Sequence, residues 1–153
     1  MKIKTIKAVE AYRTLKMLKV AGMSDEAMLA VWKNLKALRP ISETYDKDIE
    51  EVRATLQDED FEKMQQRVKE AQEVERRAKE EVRDMTDAEK REIAEINEWF
   101  AAWNKKGQKY FKELAEKEVK VDIVEIDVEE LLKAFKMSDY TFEEVEKLAW
   151  MTK

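Results

Sequence analysis

The feature that most restricts what this chain can fold into is a run of side chains set alternately three and four residues apart. Met28, Val31, Leu35, Leu38, Ser42, Tyr45, Ile49, Val52 and Leu56 follow that spacing with a single polar member. A mean step of 3.5 residues keeps one stripe on one side of an α-helix and fits neither a strand nor a loop. A second stripe of the same kind runs through Ile93, Ile96, Phe100, Trp103, Gly107, Tyr110 and Leu114. The first register passes Pro40 without a change of phase, although proline has no N–H to donate and its ring crowds the preceding turn. Unbroken phase favours one kinked helix over residues 24–57, with a break near residue 40 as the alternative. The stripes predict two helices about 50 Å long, paired antiparallel within one chain or between two.

Composition points the same way. With 2 glycines, 1 proline and 42% charged residues, the chain has too few turn formers for a sandwich or a barrel. Abundant Glu, Lys, Ala, Leu and Met favours helix. The expected fold is mainly α: an elongated helical bundle or hairpin with long coiled-coil-like helices, formed as a single domain over residues 1–153.

Start and stop signals divide the rest. A first helix is expected over 5–19, with Gly22 beyond its end where a left-handed cap is cheap, and Ser24 is a good N-cap for the next helix. Residues 57–60, Gln-Asp-Glu-Asp, form the best internal boundary. From Phe61 to Met85 the apolar stripe thins to small residues among dense charge, which suits edge-on packing or a projecting helical arm over 58–85. Thr86 and Glu89 form a capping box that opens the helix of the second stripe. Val119, Val121 and Ile123 then alternate with charge like a strand, and a slip at Val124 reads as a bulge. The N-terminal MKIKTI is the obvious partner, giving a minor two-stranded β ribbon. A short helix over 128–136 and a last one from Thr141, boxed by Glu144 and stapled by Tyr140 and Val145, complete the chain.

Chemistry is constrained by what is missing. The chain has no cysteine and no histidine, which excludes disulfides, thiolate and imidazole metal sites, and Ser-His or Cys-His nucleophiles. Asp46 and Asp48 lack the glycine and glutamate spacing of a calcium loop, and no glycine-rich phosphate loop occurs. Glu118, Lys120, Asp122, Glu125 and Asp127 would need a carboxylate from a further strand to hold a metal ion, so they read as solvated charge. No catalytic residue, cofactor, metal or small-molecule ligand is therefore expected, and the chain reads as a non-enzyme. The net charge is −5, and all of that excess lies between Asp58 and Glu95, where 14 acidic residues outnumber 9 basic ones. This disfavours nucleic acid as a partner. MKIKTIKAVEAY lacks the apolar run of a signal peptide, and no stretch approaches the ~20 apolar residues that span a bilayer. A cytoplasmic protein with no membrane contact is expected.

Two stretches are candidates for contact with other molecules. EWFAAWNKKGQKYF, residues 98–111, could stack on bases, but its rings sit at helical spacing beside Glu92, Glu95 and Glu98, which favours a filled core. Gly107 within that stripe implies close approach by a large neighbour, with Trp32 as the candidate. Phe142, Val145, Leu148, Trp150 and Met151 form the second stretch, a candidate protein interface whose alternative is docking onto the protein's own helices.

The passage EKEVKVDIVEIDVEELLKAFKMSDYTFEEVEKLAWM resembles the end of a group of small bacteriophage and prophage proteins of uncharacterised function. In that group a β-like segment precedes a short helix and a closing E-x-x-x-L-x-W-M-like helix. AVEAYRTLKML and AVWKNLKALRPISETYDKDIEEV are similar to the same group, so the resemblance covers residues 3–57 and 111–151. The charged stretch 58–95 departs from it in being longer and more helical. The resemblance implies phage origin and work in the bacterial cytoplasm, and it supplies no catalytic residues. The expected function is a phage-encoded protein–protein interaction or assembly protein, acting on a partner or on itself. The alternative is an acidic inhibitor of a host nucleic-acid-binding defence enzyme.

Overall fold

In the computed structural model, which describes residues 1–153, the elements are β1 (Lys2–Lys4), α1 (Thr5–Lys16), α2 (Asp25–Leu56), α3 (Glu59–Glu80), α4 (Asp87–Glu116), β2 (Glu118–Lys120), α5 (Val128–Ser138), α6 (Phe142–Leu148) and a 3-10 turn (Ala149–Met151). The fold is mainly α, with one small antiparallel sheet. Helix α2 runs unbroken through Pro40. Pro40 and Lys36, whose carbonyl loses its bond to the missing N–H, are both exposed, so water can take the place of that bond. Every member of the first stripe is buried or half-buried. Ser24 caps the helix by accepting from the Ala27 N–H at 3.2 Å, and Asp25 and Glu26 complement its N-terminal dipole.

The chain forms two compact units, residues 1–48 with 113–153, and residues 49–112. In the first, α1 ends at Lys16, three residues earlier than its sequence predicts. The chain turns there because Leu18 and Met23 enter the core with Leu15, Val31 and Leu38. Gly22 does not supply a left-handed cap, since no glycine has positive φ. A Cβ on Gly22 would stand 2.8 Å from Met137 Sδ, so a larger residue there would need that exposed side chain to shift.

The expected ribbon forms with Lys2 opposite Lys120, Ile3 opposite Val119 and Lys4 opposite Glu118. The ladder is shorter than the alternation suggested, and Val124 is not a bulge within it. Asn34 intervenes from α2. It is fully buried, its Nδ2 donates to the Val124 carbonyl at 2.8 Å, and its Oδ1 accepts from the Val124 N–H at 2.7 Å. A side-chain amide thus binds the backbone N–H and C=O of one residue much as a neighbouring strand would. Two residues on, Ile126 bridges to Thr152, with its N–H donating to the Met151 carbonyl at 2.9 Å.

In the second unit, Asp58 caps α3 by accepting from the Phe61 N–H at 3.0 Å. The capping box of α4 is also present, with Thr86 N–H donating to Glu89 at 3.0 Å and Glu89 N–H to the Thr86 hydroxyl at 3.2 Å. The second stripe holds through Gly107 and then drifts. Tyr110 is 38% exposed while Phe111 is half-buried. A straight helix at 3.6 residues per turn moves about 20° per heptad against a 3.5 repeat, which brings the next residue inward. The neighbour that keeps Gly107 small is Leu56, not Trp32: an added Cβ would lie 3.2 Å from Leu56 Cδ1. Trp32 is 54% exposed, with Lys36 Nζ 4.6 Å above its ring.

Helix α3 stops in a strained turn. Val82 has φ 49°, its N–H donates to Lys79 at 3.3 Å, and the Arg83 N–H donates to Ala78 at 3.0 Å. That pair of bonds is a Schellman closure, whose left-handed position normally holds glycine. A β-branched residue there is a genuine outlier.

Two outcomes are expected in urea denaturation of the whole chain. Val82→Gly should raise the unfolding free energy by about 0.5–1 kcal/mol, the relief of left-handed strain less glycine's larger unfolded-state entropy. Asn34→Leu should lower it by about 2–4 kcal/mol, because both polar groups of the Val124 peptide lose their partners.

Candidate interaction surface

The residues singled out near the end of the sequence do not form one surface. Leu148 and Met151 are fully buried in the core of the first unit, and Val145 and Trp150 pack against it half-buried. Only Phe142 stands free, 88% exposed at the start of α6. The Thr141 N–H donates to the Glu144 carboxylate at 2.8 Å, and the Thr141 hydroxyl meets the same group, so the predicted capping interaction holds this helix. Most of this apolar area is therefore taken up by the protein's own packing. Trp150 Nε1 is buried there without a protein acceptor.

The aromatic stretch likewise serves packing. Phe61 of α3 stacks on Trp103 of α4 with ring centroids 4.9 Å apart, and Trp99 meets Phe100 edge-on at 5.0 Å. Trp103 Nε1 donates to the Leu56 carbonyl at 2.8 Å. Leu56 ends α2, so the indole satisfies one of the carbonyls that a helix terminus leaves free. No group of three or more acidic side chains is gathered to hold a metal ion.

The remaining candidates lie along α3 and α4. Residues 59–80, read in the sequence as part of a candidate arm, lie against α4. Arg67 joins the two helices: its Nε and Nη2 donate to the two Glu92 oxygens at 2.7 and 2.6 Å, and Nη2 also reaches Glu95 at 3.1 Å. This forked geometry suits a guanidinium and would be lost with lysine. In the sequence Arg67 is one charge in a run of many. The only signal for it is the i, i+3 pair of glutamates that a facing helix would present. Along α3, Arg76 binds Glu73 and Glu80, and Arg77 also reaches Glu73.

Few residues of this hairpin are buried: Met64 and Ala78 in α3, Ile96 and Gly107 in α4. Val68, Ala71, Val74 and Ile93 are only half-buried. They floor two open grooves, one on each side of the hairpin. The first, about 350 Å³, is rimmed by Glu70, Glu89 and Glu92 with Arg67, and Ala71, Val74 and Ile93 lie within it. The second, about 400 Å³, is rimmed by Gln72, Glu75 and Asn97 around Val68, Ala71, Ile93 and Phe100.

The ion pairs shift the carboxylates. The hydrogen bond from Arg76 holds Glu73 down to about 2, from an ordinary value of 4.5. Arg67 lowers Glu92, and Arg83 together with the Thr86 N–H lowers Glu89. No protein-family model matches the chain, and neither a curated protein nor a solved structure matches it. No helix is long and apolar enough to cross a membrane.

A carboxylate whose folded pKa lies below its unfolded value stabilises the fold above the unfolded pKa, and loses that contribution as pH falls through the folded one. The melting temperature is therefore expected to hold near pH 7 and to decline between about pH 4.5 and about 2, the window set by Glu73. Glu73→Gln should flatten that decline in a circular-dichroism titration. An unchanged slope would assign acid sensitivity to other groups.

Proposed function

We propose that this chain is a non-enzymatic protein–protein interaction or assembly protein, phage-encoded and working in the bacterial cytoplasm as its sequence resemblance implies. The observation that carries the reading is the acid-rimmed apolar groove between α3 and α4, with Ala71, Val74 and Ile93 inside and Glu70, Glu89 and Glu92 around them. An apolar floor between two helices fits a third helix, which would lay its apolar stripe into the groove. On the rim Glu89 and Glu92 are paired with Arg83 and Arg67, so Glu70 is the carboxylate left to favour a Lys or Arg on the partner helix, and the apolar floor carries most of the recognition. Phe142 offers a second, smaller anchor in the first unit. With Leu148 and Met151 in the core, α6 serves chiefly to close its own unit.

The acidic excess over residues 58–95 also suits imitation of a phosphate backbone in an inhibitor of a nucleic-acid-binding enzyme. Glu73, Glu89, Glu92 and Glu95 engage arginines of the same unit, however, which weakens the outward field such imitation needs. This favours the groove over the charge alone as the recognition element.

The test is affinity capture from infected or lysogenic bacterial cells with the wild-type chain and with Ala88→Arg. Ala88 is an exposed residue on this groove that can accept a long side chain without entering the core. Recovery of the captured partner is expected to fall at least tenfold in the variant and to be indifferent to added DNA. Equal recovery by both proteins would remove the groove from the reading, and displacement by DNA would transfer it to the inhibitor.

A further inference from the structure

The second groove of the α3–α4 hairpin differs from the first in a way that bears on its occupant. In α3, 13 of 22 residues carry a charge, yet of the side chains that line this groove from both helices only Glu75 does. Its carboxylate lies 3.9 Å from Lys79 Nζ, so the face is close to neutral. Depletion of charge around an apolar centre marks the core of an interface rather than a solvated helical surface. The rim is made of amides, Gln72 on α3 and Asn97 on α4, and Gln65 and Asn104 lie one heptad away from each on the same helices.

From these observations we infer that the face is covered by a second copy of this chain, the two α3–α4 hairpins packing about a twofold axis into a four-helix bundle. The inference rests on the reading of the chain as an interaction protein and names a partner for a different groove from the one above. Three features select a copy over an unrelated chain. An amide both donates and accepts, so identical rims satisfy each other across a twofold, whereas a basic or acidic partner finds only the Glu75–Lys79 pair as counter-charge. A chain of net charge −5 meets its own kind without repulsion only through a neutral face. The area also suffices: 22 residues of helix extend about 33 Å, and two helices side by side are about 20 Å wide. Covered along the whole of α3, the face would present at most about 650 Å² per copy, about 1,300 Å² in all, the lower end of the range of stable specific interfaces, with the groove of Val68–Glu75 and Ile93–Phe100 at its centre. Two helices alone leave Val68, Ala71 and Ile93 half exposed, and four helices bury them.

Sedimentation equilibrium of the full chain over a range of concentrations tests this. The expected mass is twice the 18.2 kDa of one chain. Gln72→Arg with Asn97→Arg, both exposed rim positions, should return it to 18.2 kDa with the helical circular-dichroism signal unchanged. The near-isosteric pair Gln72→Glu with Asn97→Asp sets like charges across the twofold and should weaken association at least tenfold. Glu70→Arg, on the opposite groove, should leave the mass unaltered. A wild-type chain that stays at 18.2 kDa throughout, or a dimer that persists in both rim variants, overturns the inference. Neither result touches the capture experiment with Ala88→Arg, which reads the other groove.

Discussion

One buried amide sets the conditions for much of the first unit. Asn34 holds both polar groups of the Val124 peptide, and that peptide lies in the irregular run that follows β2. Fixing it there places Ile126 beside Met151 and Thr152, and the chain closes through Ile126 N–H to Met151 and Lys153 N–H to Ile126. Met151 then enters the core, with its Sδ 3.9 Å from the same Asn34 nitrogen. A buried amide side chain is costly unless both its donor and its acceptor find partners. Here both do, and the requirement admits few alternative placements of the 121–127 segment. The interaction therefore contributes specificity as much as stability.

The second unit is stabilised by other means. Its fully buried side chains are few, and its helices are held by one aromatic cluster at the α2 end and by forked arginine–carboxylate pairs further along. Exposed ion pairs contribute little individually. The aromatic cluster, and Trp103 on the terminal carbonyl of α2, therefore carry more of the association of α3 with α4 than the conspicuous charges do. Sparse burial is also what leaves grooves on both sides of the hairpin.

Much of the fold was legible because helical spacing and capping are local. The stripe from Met28 to Leu56 predicted a helix through Pro40, and the Thr86–Glu89 and Thr141–Glu144 boxes located two helix starts. Pairing of MKIKTI with the strand near Val119 followed from there being no other candidate. What was missed depends on neighbours distant in the chain. Asn34 lies off the apolar stripe and carries no local mark of its bond to Val124, 90 residues away. Leu56 faces Gly107 because of how α2 ends, which no spacing rule encodes. The drift from Tyr110 to Phe111 reflects the difference between a 3.5 repeat and a straight helix. Of the candidate site, the C-terminal residues were recognisable as an apolar cluster, but their burial depended on the closure through Ile126. The uncharged face of α3 was hidden in a sequence that reads as uniformly charged, because it is visible only when α4 is set beside it.

The arginine–glutamate pairs of the second unit have a physiological corollary. A chain without histidine or cysteine has no side chain whose ordinary pKa falls between about pH 5 and 8. The pairing with arginine lowers Glu73, Glu89 and Glu92 further from that window. The charge map of both hairpin faces is thus constant across the acidity a cell experiences, and the fold lacks a thiol through which an oxidant could alter it. Dissolved ions remain as the one ordinary solvent variable that acts on it, since exposed pairs weaken as the screening length falls to about 8 Å at physiological ionic strength. The ion pairs of this hairpin therefore answer to salt rather than to pH between about 5 and 8.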